Sequence, residues 1–221
     1  MLSLVEIEML KKEGWIKKNI GISSKEEIIQ IGELLGKPIP SRVSGDLVDE
    51  LRPTGIEEAK KNSLSSLYGK NRFPLHTDTA YKTIPIRYLI LYAKNPGGGK
   101  RPTLLVDGLK LIDSGMDKNL LLSAIFKIKN GKYSFLGKMF EIDKMEEVYR
   151  IRLDQGCMIP ATKESRMIFE QYVSVLDRQK KIEVKWESGD LLVLDNWRML
   201  HGRGNSATED DDRLLFRLNI S

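Results

Sequence analysis

Histidine and cysteine are both scarce in this sequence. Its 221 residues include two histidines, His76 and His201, and one cysteine, Cys157. A single cysteine excludes an internal disulfide bond, and a free thiol is typical of a reducing compartment, so we expect a cytoplasmic protein. Any metal site built on imidazole must draw on His76, His201 or both.

Long apolar runs and flexible linkers are also lacking. No run of 18 apolar residues occurs, which predicts no membrane span and no membrane partner. The N-terminal segment is charged throughout, unlike a secretory signal. No internal repeat and no linker rich in proline, glycine or serine divides the chain. We therefore expect one domain over residues 1–221.

The basic residues exceed the acidic ones only slightly and are dispersed. The formal charge of +5 comes from 36 Lys and Arg against 31 Asp and Glu. The short basic runs lack interleaved aromatic residues, so we expect no nucleic-acid partner. A generally basic surface equally suits a small anionic substrate. Oligomeric state is not predicted by these patterns.

Strand-like segments dominate the second half of the chain, with helices around them. Ser24 precedes a capped amphipathic helix that ends near Gly36, and residues 4–12 form a second candidate helix. The pattern predicts strands at 84–93, 101–106, 133–136, 148–153, 182–186, 191–194 and 213–220, and helices at 107–124, in two pieces, and 165–177. This arrangement predicts a mainly β fold with flanking helices, an antiparallel jelly roll.

Both histidines lie in motifs that suit a metal. His76 and Asp78 stand two residues apart, and on an extended segment this spacing places both side chains on one side of the backbone. His201 from a distant segment would complete a set of two imidazoles and one carboxylate. Such a set leaves open positions that non-haem iron(II) oxygenases use for a bidentate cosubstrate and O₂. By itself, a His-x-Asp spacing also arises by chance.

The last residues predict a strand with one polar face. Leu214, Phe216, Leu218 and Ile220 alternate with Arg213, Leu215, Arg217 and Asn219. An edge strand whose polar face meets water fits this alternation. Alternatively, Arg213 and Arg217 point into a barrel toward the metal, where a guanidinium can bind the remote carboxylate of 2-oxoglutarate.

These motifs together resemble the clavaminate synthase-like and taurine dioxygenase superfamily of iron(II)/2-oxoglutarate oxygenases. The resemblance rests on four features and spans about residues 24–220. The features are Pro-Leu-His76-Thr-Asp78, the segment from Gly97 to Thr103, the run Asp195-Asn-Trp-Arg-Met-Leu-His201-Gly-Arg, and the arginine pair Arg213 and Arg217.

The resemblance implies a double-stranded β-helix core and a dioxygenase that uses Fe(II), 2-oxoglutarate and O₂. It implies His76, Asp78 and His201 as catalytic iron ligands. It also implies that Thr103, 27 residues after His76, partners Arg213 at the remote carboxylate of 2-oxoglutarate. Arg217 would support the cosubstrate or hold an anionic group of the substrate. A β-branched strand residue without this role is the alternative for Thr103.

Several alternatives remain open at this point. The same ligands could hold zinc or manganese in a jelly-roll hydrolase or isomerase, or the chain could be a non-catalytic metal-binding module. Asp78 disfavours halogenation, because halogenases of this class have a small residue there. The expected substrate is a small molecule, anionic or amino-acid-derived, and either free or presented by a carrier protein.

Overall fold

A computed structural model of the chain describes residues 2–42, 45–61, 63–143 and 148–221. A six-stranded antiparallel sheet, called here the major sheet, forms its centre. The strand order is β1 (Trp15–Asn19), β12 (Asp190–Asp195), β4 (Tyr88–Asn95), β14 (Leu214–Ile220) and β2 (Pro38–Ile39), with β3 (Val48–Leu51) also pairing with β14. The last strand of the chain is therefore central, because it pairs with β4 along its whole length.

A shorter sheet, the minor sheet, packs against one face of the major sheet. It has the order β11 (Ile182–Val184), β5 (Thr103–Asp107) and β13 (Met199–Arg203). A single buried cluster joins side chains of both sheets, including Leu89 and Leu192 from the major sheet with Leu105 and Val184 from the minor sheet. The apolar strand faces thus form an interior between the two sheets.

Two N-terminal helices cover the other face of the major sheet. Helix α1 (Leu4–Glu13) begins at a capping box on Ser3, and α2 (Lys25–Glu33) begins at the cap Ser24. Ile28 and Ile31 of α2 share a buried cluster with Leu218 and Ile220. This cluster uses the apolar face that alternation predicts for β14, so the opposite face of that strand points into the interior.

The outer face of the minor sheet is covered by the chain between β5 and β11. This part contains a 3-10 turn (Leu109–Asp113), α4 (Lys118–Ser123), β6 (Ile125–Asn130), β7 (Tyr133–Lys138), β8 (Phe140–Asp143), β9 (Val148–Ile151), β10 (Met158–Pro160) and α5 (Lys163–Arg178). A short helix, α3 (Leu64–Tyr68), precedes the first metal motif. None of the helices in the described ranges has the length and apolar character that crossing a bilayer requires.

The mainly β class with flanking helices is confirmed, while the strand boundaries differ in places. The strand predicted at 84–93 begins only at Tyr88. Pro85 has no N–H, and the Ile86 N–H donates to the Thr79 hydroxyl at 2.9 Å instead of to a strand. The short strands β1, β2, β3, β6, β8, β10 and β13 were not predicted, because segments of two to six residues are too short to show a clear period.

Arg152 offers a test of what holds the loop after Asp78. This fully buried guanidinium donates to the carbonyls of Ala80, Lys82 and Thr83. Arg152→Met keeps the apolar stem but leaves the three carbonyls without a donor. We expect the free energy of unfolding to fall by about 3 kcal/mol and the Tm to fall by about 6–12 °C. Thermal unfolding measures the loss, with exposed Arg178→Met as the control. A Tm equal to that of the control would contradict the role.

Candidate metal centre

The two histidines lie directly opposite each other on neighbouring antiparallel segments. The His76 N–H donates to the His201 carbonyl at 2.9 Å, and the His201 N–H donates to the His76 carbonyl at 3.0 Å. Residues paired in this way project their side chains to the same face. The two ring centroids are accordingly 4.4 Å apart. The structure therefore brings together two imidazoles that are 125 residues apart in the sequence.

Each imidazole has a ring nitrogen that could bind a metal ion. His76 Nδ1 lies 3.0 Å from the Pro74 carbonyl oxygen, which can only accept, so Nδ1 carries the hydrogen and Nε2 keeps its lone pair. His201 Nδ1 is buried and has no hydrogen-bond partner among the described residues. Burial lowers the pKa of His201 to about 3, and the neighbouring His76 ring contributes in the same direction. His201 is thus neutral, as metal ligation requires.

The backbone of Asp78 is held by Asn196. The Asp78 N–H donates to Asn196 Oδ1 at 2.8 Å, and Asn196 Nδ2 donates to the carbonyls of Asp78 at 3.1 Å and Ile86 at 2.8 Å. Asn196 is fully buried. The turn of the chain begins at Asp78, directly after the bridge at His76, and this amide bonds both the N–H and the carbonyl of Asp78, so it holds Asp78 in place beside His76.

The carboxylate of Asp78 forms an ion pair with Arg217. Arg217 Nη1 donates to Asp78 Oδ2 at 3.0 Å, while its Nε and Nη2 donate to Asp49 Oδ2 at 3.2 and 2.9 Å. Burial alone would raise the pKa of Asp78, but Arg217, the two neighbouring histidines and the Thr79 N–H together outweigh it, so the pKa lies below its ordinary value. Asp78 is therefore ionised, as a metal ligand must be.

The side chains of the three predicted ligands suit a divalent metal, although they do not form a complete ligand cluster. Across the described residues, no three or more His, Cys, Asp and Glu side chains lie close enough together to hold a metal ion. The carboxylate of Asp78 has other partners: its Oδ1 accepts from the Thr79 N–H at 2.9 Å, and its Oδ2 accepts from Arg217. Two adjacent imidazoles and an ionised carboxylate suit iron(II), and Asp78 would turn from Arg217 to share a metal.

Arg213 directly precedes β14, and Arg217 lies on the interior face of that strand. Arg213 is buried, and its Nε has no hydrogen-bond partner among the described residues. Burial lowers the pKa of Arg213 to about 10, against the opposing charge of Asp210. A Cβ on Gly97 would lie 2.8 Å from the Arg213 Cβ, so this glycine allows the two segments to touch. Arg213 is a buried cation with an open donor.

Thr103 faces the same interior from the minor sheet. It pairs with Arg203 on β13, so it shares a strand face with Leu105 and His201. Its hydroxyl accepts from Trp186 Nε1 at 3.1 Å and keeps its own hydrogen available to donate. Thr103 and Arg213 therefore lie on facing sheets.

Sequence patterns did not reveal a buried ion pair beside Arg213. Arg101 Nε and Nη2 donate to the two carboxylate oxygens of Asp210 at 2.8 and 3.0 Å. Burial lowers the pKa of Arg203 to about 9, helped by the charges of Arg101 and Arg213. Asp210 is the buried carboxylate among these arginines, while its neighbours Glu209, Asp211 and Asp212 are exposed. The sequence marked this part of the chain only through the segment from Gly97 to Thr103, which gives no indication of an ion pair.

A large cavity lies away from the histidines. Its volume is about 780 Å³, and its lining includes Tyr68, Arg72, Leu104 and Lys181. Leu104 projects from the opposite face of β5 to Thr103 and Leu105, so this cavity opens on the outer side of the minor sheet. None of the predicted ligands lines it.

Family comparison agrees with this geometry. Residues 137–219, less than half of the chain, match the family model described as taurine catabolism dioxygenase TauD, TfdA family. The matched segment includes His201, Arg213 and Arg217. The resemblance to the taurine dioxygenase superfamily is confirmed. No curated protein sequence matches the chain.

Solved structures of iron oxygenases share the fold. An asparagine oxygenase in complex with Fe(II), 3-hydroxyasparagine and succinate is 15% identical with a TM-score of 0.78, over 98% of this chain and 78% of that chain. The non-haem iron oxygenase OrfP with Fe and α-ketoglutaric acid is 19% identical with a TM-score of 0.75, over 98% and 77%. PvcB of Pseudomonas aeruginosa is 18% identical with a TM-score of 0.71, over 97% and 78%.

Asn196 provides a test of how Asp78 is positioned. Asn196→Ala removes a buried amide and leaves the Asp78 N–H and the carbonyls of Asp78 and Ile86 unpaired. We therefore expect the free energy of unfolding to fall by about 2–4 kcal/mol. Denaturant unfolding measures the loss, and Asn205→Ala, at an exposed asparagine, is the control. A free energy of unfolding within about 0.5 kcal/mol of wild type would contradict the role of Asn196.

Proposed function

We propose that the chain is an iron(II)- and 2-oxoglutarate-dependent oxygenase that hydroxylates or desaturates a small molecule. The pairing of its only two histidines, next to Asp78 and in the same interior as Arg213, carries the proposal. The family match and the fold of the iron oxygenases support it. We also propose that the two sheets form a double-stranded β-helix, within one oxygenase domain over residues 1–221.

The proposed metal ligands are His76, Asp78 and His201. Iron(II), when bound, supplies the positions for 2-oxoglutarate and O₂ and the oxidation that couples decarboxylation to cleavage of a C–H bond. The Pro74 carbonyl holds the hydrogen of His76 on Nδ1, so Nε2 can face the ion. Asn196 fixes the backbone of Asp78. The apolar interior, including Leu105 and Met199, keeps bulk water from the site.

The proposed cosubstrate site uses Arg213 and Thr103. Arg213 has an open buried donor, and a carboxylate there would restore the hydrogen bond that burial has removed. The Thr103 hydroxyl would donate to the same carboxylate. The short bonds of Asp210 go to Arg101, so the positive charge of Arg213 is only partly compensated, which favours a dianion such as 2-oxoglutarate.

The proposed substrate is an amino acid or a derivative of one. Asp49 uses only Oδ2 on Arg217, so Oδ1 can accept from an ammonium group near the metal ligands. If Asp78 turns from Arg217 to the metal, the Nη1 of Arg217 is released and can receive a substrate carboxylate, which is one of the two roles that the resemblance implies. Solved structures of similar fold include an asparagine oxygenase with hydroxyasparagine and OrfP with (3S)-hydroxy-L-Arg, at 15% and 20% identity.

Two other functions use the same ligands. A zinc or manganese hydrolase or isomerase would need no cation for a remote carboxylate, and a non-catalytic module would need no open arginine donor. Anaerobic Fe(II) protein with 2-oxoglutarate distinguishes them, because the oxygenase develops a visible metal-to-ligand charge-transfer band. Succinate release with a panel of free amino acids then tests the substrate class, and carrier-bound amino acids test presentation by a carrier.

The metal ligands are tested by removing one imidazole at a time. His76→Ala and His201→Ala should each abolish stoichiometric Fe(II) binding and the charge-transfer band, because two donors do not hold the ion. Metal content and anaerobic absorbance measure this. Cys157→Ala, which removes the only thiol, is the control and should keep both signals. Stoichiometric iron in either folded histidine variant would refute the assignment.

The cosubstrate site is tested with Arg213→Met. The change removes a charged hydrogen-bond donor worth about 3 kcal/mol, so the Kd of 2-oxoglutarate should rise by about 100-fold. Fe(II) affinity should stay near wild type. Titration of the charge-transfer band measures both, with Arg178→Met as the surface control. An unchanged Kd of 2-oxoglutarate would count against Arg213.

A further inference from the structure

The segment that carries His76 has few backbone bonds of its own to the minor sheet. The Phe73 N–H donates to the Arg203 carbonyl at 2.9 Å, and the next bonds to β13 are those of His76 itself. Pro74, between them, has no N–H to donate. The orientation of residues 69–75 therefore needs support from side chains.

Gly202 lets this segment lie close to β13. A Cβ on Gly202 would lie 2.8 Å from the Phe73 carbonyl oxygen and 3.0 Å from that of Pro74. Both atoms are backbone atoms, so any side chain at Gly202 would push the segment away. The Pro74 carbonyl displaced in this way is the acceptor that orients His76.

Arg203 binds the N-terminal part of the same segment, residues 69–73. Its Nε donates to the Asn71 carbonyl at 3.0 Å, and its Nη2 donates to the carbonyls of Asn71 at 2.6 Å and Gly69 at 2.5 Å. Its guanidinium carbon lies 3.5 Å from the centre of the Phe73 ring. A rigid planar fork that bonds two carbonyls and stacks on a ring fixes the direction of the chain.

We propose that Arg203 is a positioning residue for His76, which rests on the proposed metal centre. Arg203 holds residues 69–73, these place the Pro74 carbonyl, and that carbonyl keeps the hydrogen of His76 on Nδ1. Arg203 thereby presents His76 Nε2 toward His201. The Gly202-Arg203 pair after His201 thus serves the ligand on the neighbouring segment, and not the cosubstrate.

The metal-free protein supplies the first test, because the chain has only two histidines and ¹⁵N-histidine labelling therefore reports two rings. In wild type the ¹⁵N shifts of His76 should show the Nδ1–H tautomer at pH 8. In Arg203→Gln they should shift toward a mixture of both tautomers, since the Pro74 carbonyl is no longer held. His76→Asn assigns the signals. A His76 ring that keeps the Nδ1–H form in Arg203→Gln would overturn the proposal.

Metal affinity supplies the second test. Outer residues that orient a ligand typically change metal affinity by 10–100-fold, so Arg203→Gln should weaken Fe(II) binding by about that factor, and Arg203→Lys by less. Arg198→Gln is the control, because Arg198 also donates to backbone carbonyls, those of Lys11 and Lys12, and pairs with Asp107, but none of its bonds goes to residues 69–76. The control should retain both the tautomer and the Fe(II) affinity of wild type.

The outcomes separate this proposal from the proposed function. A larger Kd for 2-oxoglutarate in Arg203→Gln, with the His76 tautomer and Fe(II) affinity unchanged, would make Arg203 a cosubstrate residue and overturn the positioning role. Equal effects of Arg203→Gln and Arg198→Gln would reduce the role to general stability and overturn it as well. If wild type binds no Fe(II), the proposed function fails, while the tautomer measurement still decides the role of Arg203.

Discussion

The pair of backbone hydrogen bonds between His76 and His201 is the constraint on which the site depends. Because the two residues are directly opposite, their imidazoles must project to one face and lie side by side. A shift of one residue in either segment would turn one ring to the outer face. Gly202, which leaves room for the Phe73 and Pro74 carbonyls, helps to fix this register. Ligand placement here is a consequence of strand pairing.

Arg213, directly before β14, and Arg217, within it, have opposite surroundings, and this difference divides the interior into two regions. Arg217 lies between Asp49 and Asp78, and although burial lowers its pKa, the two carboxylates outweigh burial and hold it above the ordinary value. The pKa of Arg213 lies below its ordinary value, because burial dominates there. One guanidinium is thus already neutralised near the proposed metal, while the other is available to an anion at the end of the strand.

Alternation along single segments could be predicted from the sequence, whereas contacts between distant segments could not. The two-residue spacing of His76 and Asp78 and the polar face of β14 follow from the period of a strand, and the structure shows both on the interior side. Asp49 gave no signal, since it meets Arg217 only through the pairing of β3 with β14. Asn196 stood inside a recognised motif, but its bonds to Asp78 join residues 118 positions apart.

The energetic cost of burying Arg213 links the fold to the proposed chemistry. Removing a charge from water costs several kcal/mol unless a partner restores the lost interactions. Asp210 forms its two short ion-pair bonds with Arg101, not with Arg213, and the Arg213 Nε has no partner among the described residues. A surface arginine would avoid this cost. A chain that nevertheless keeps a buried cation directly before its last strand suits a protein that obtains the missing interaction from a bound carboxylate.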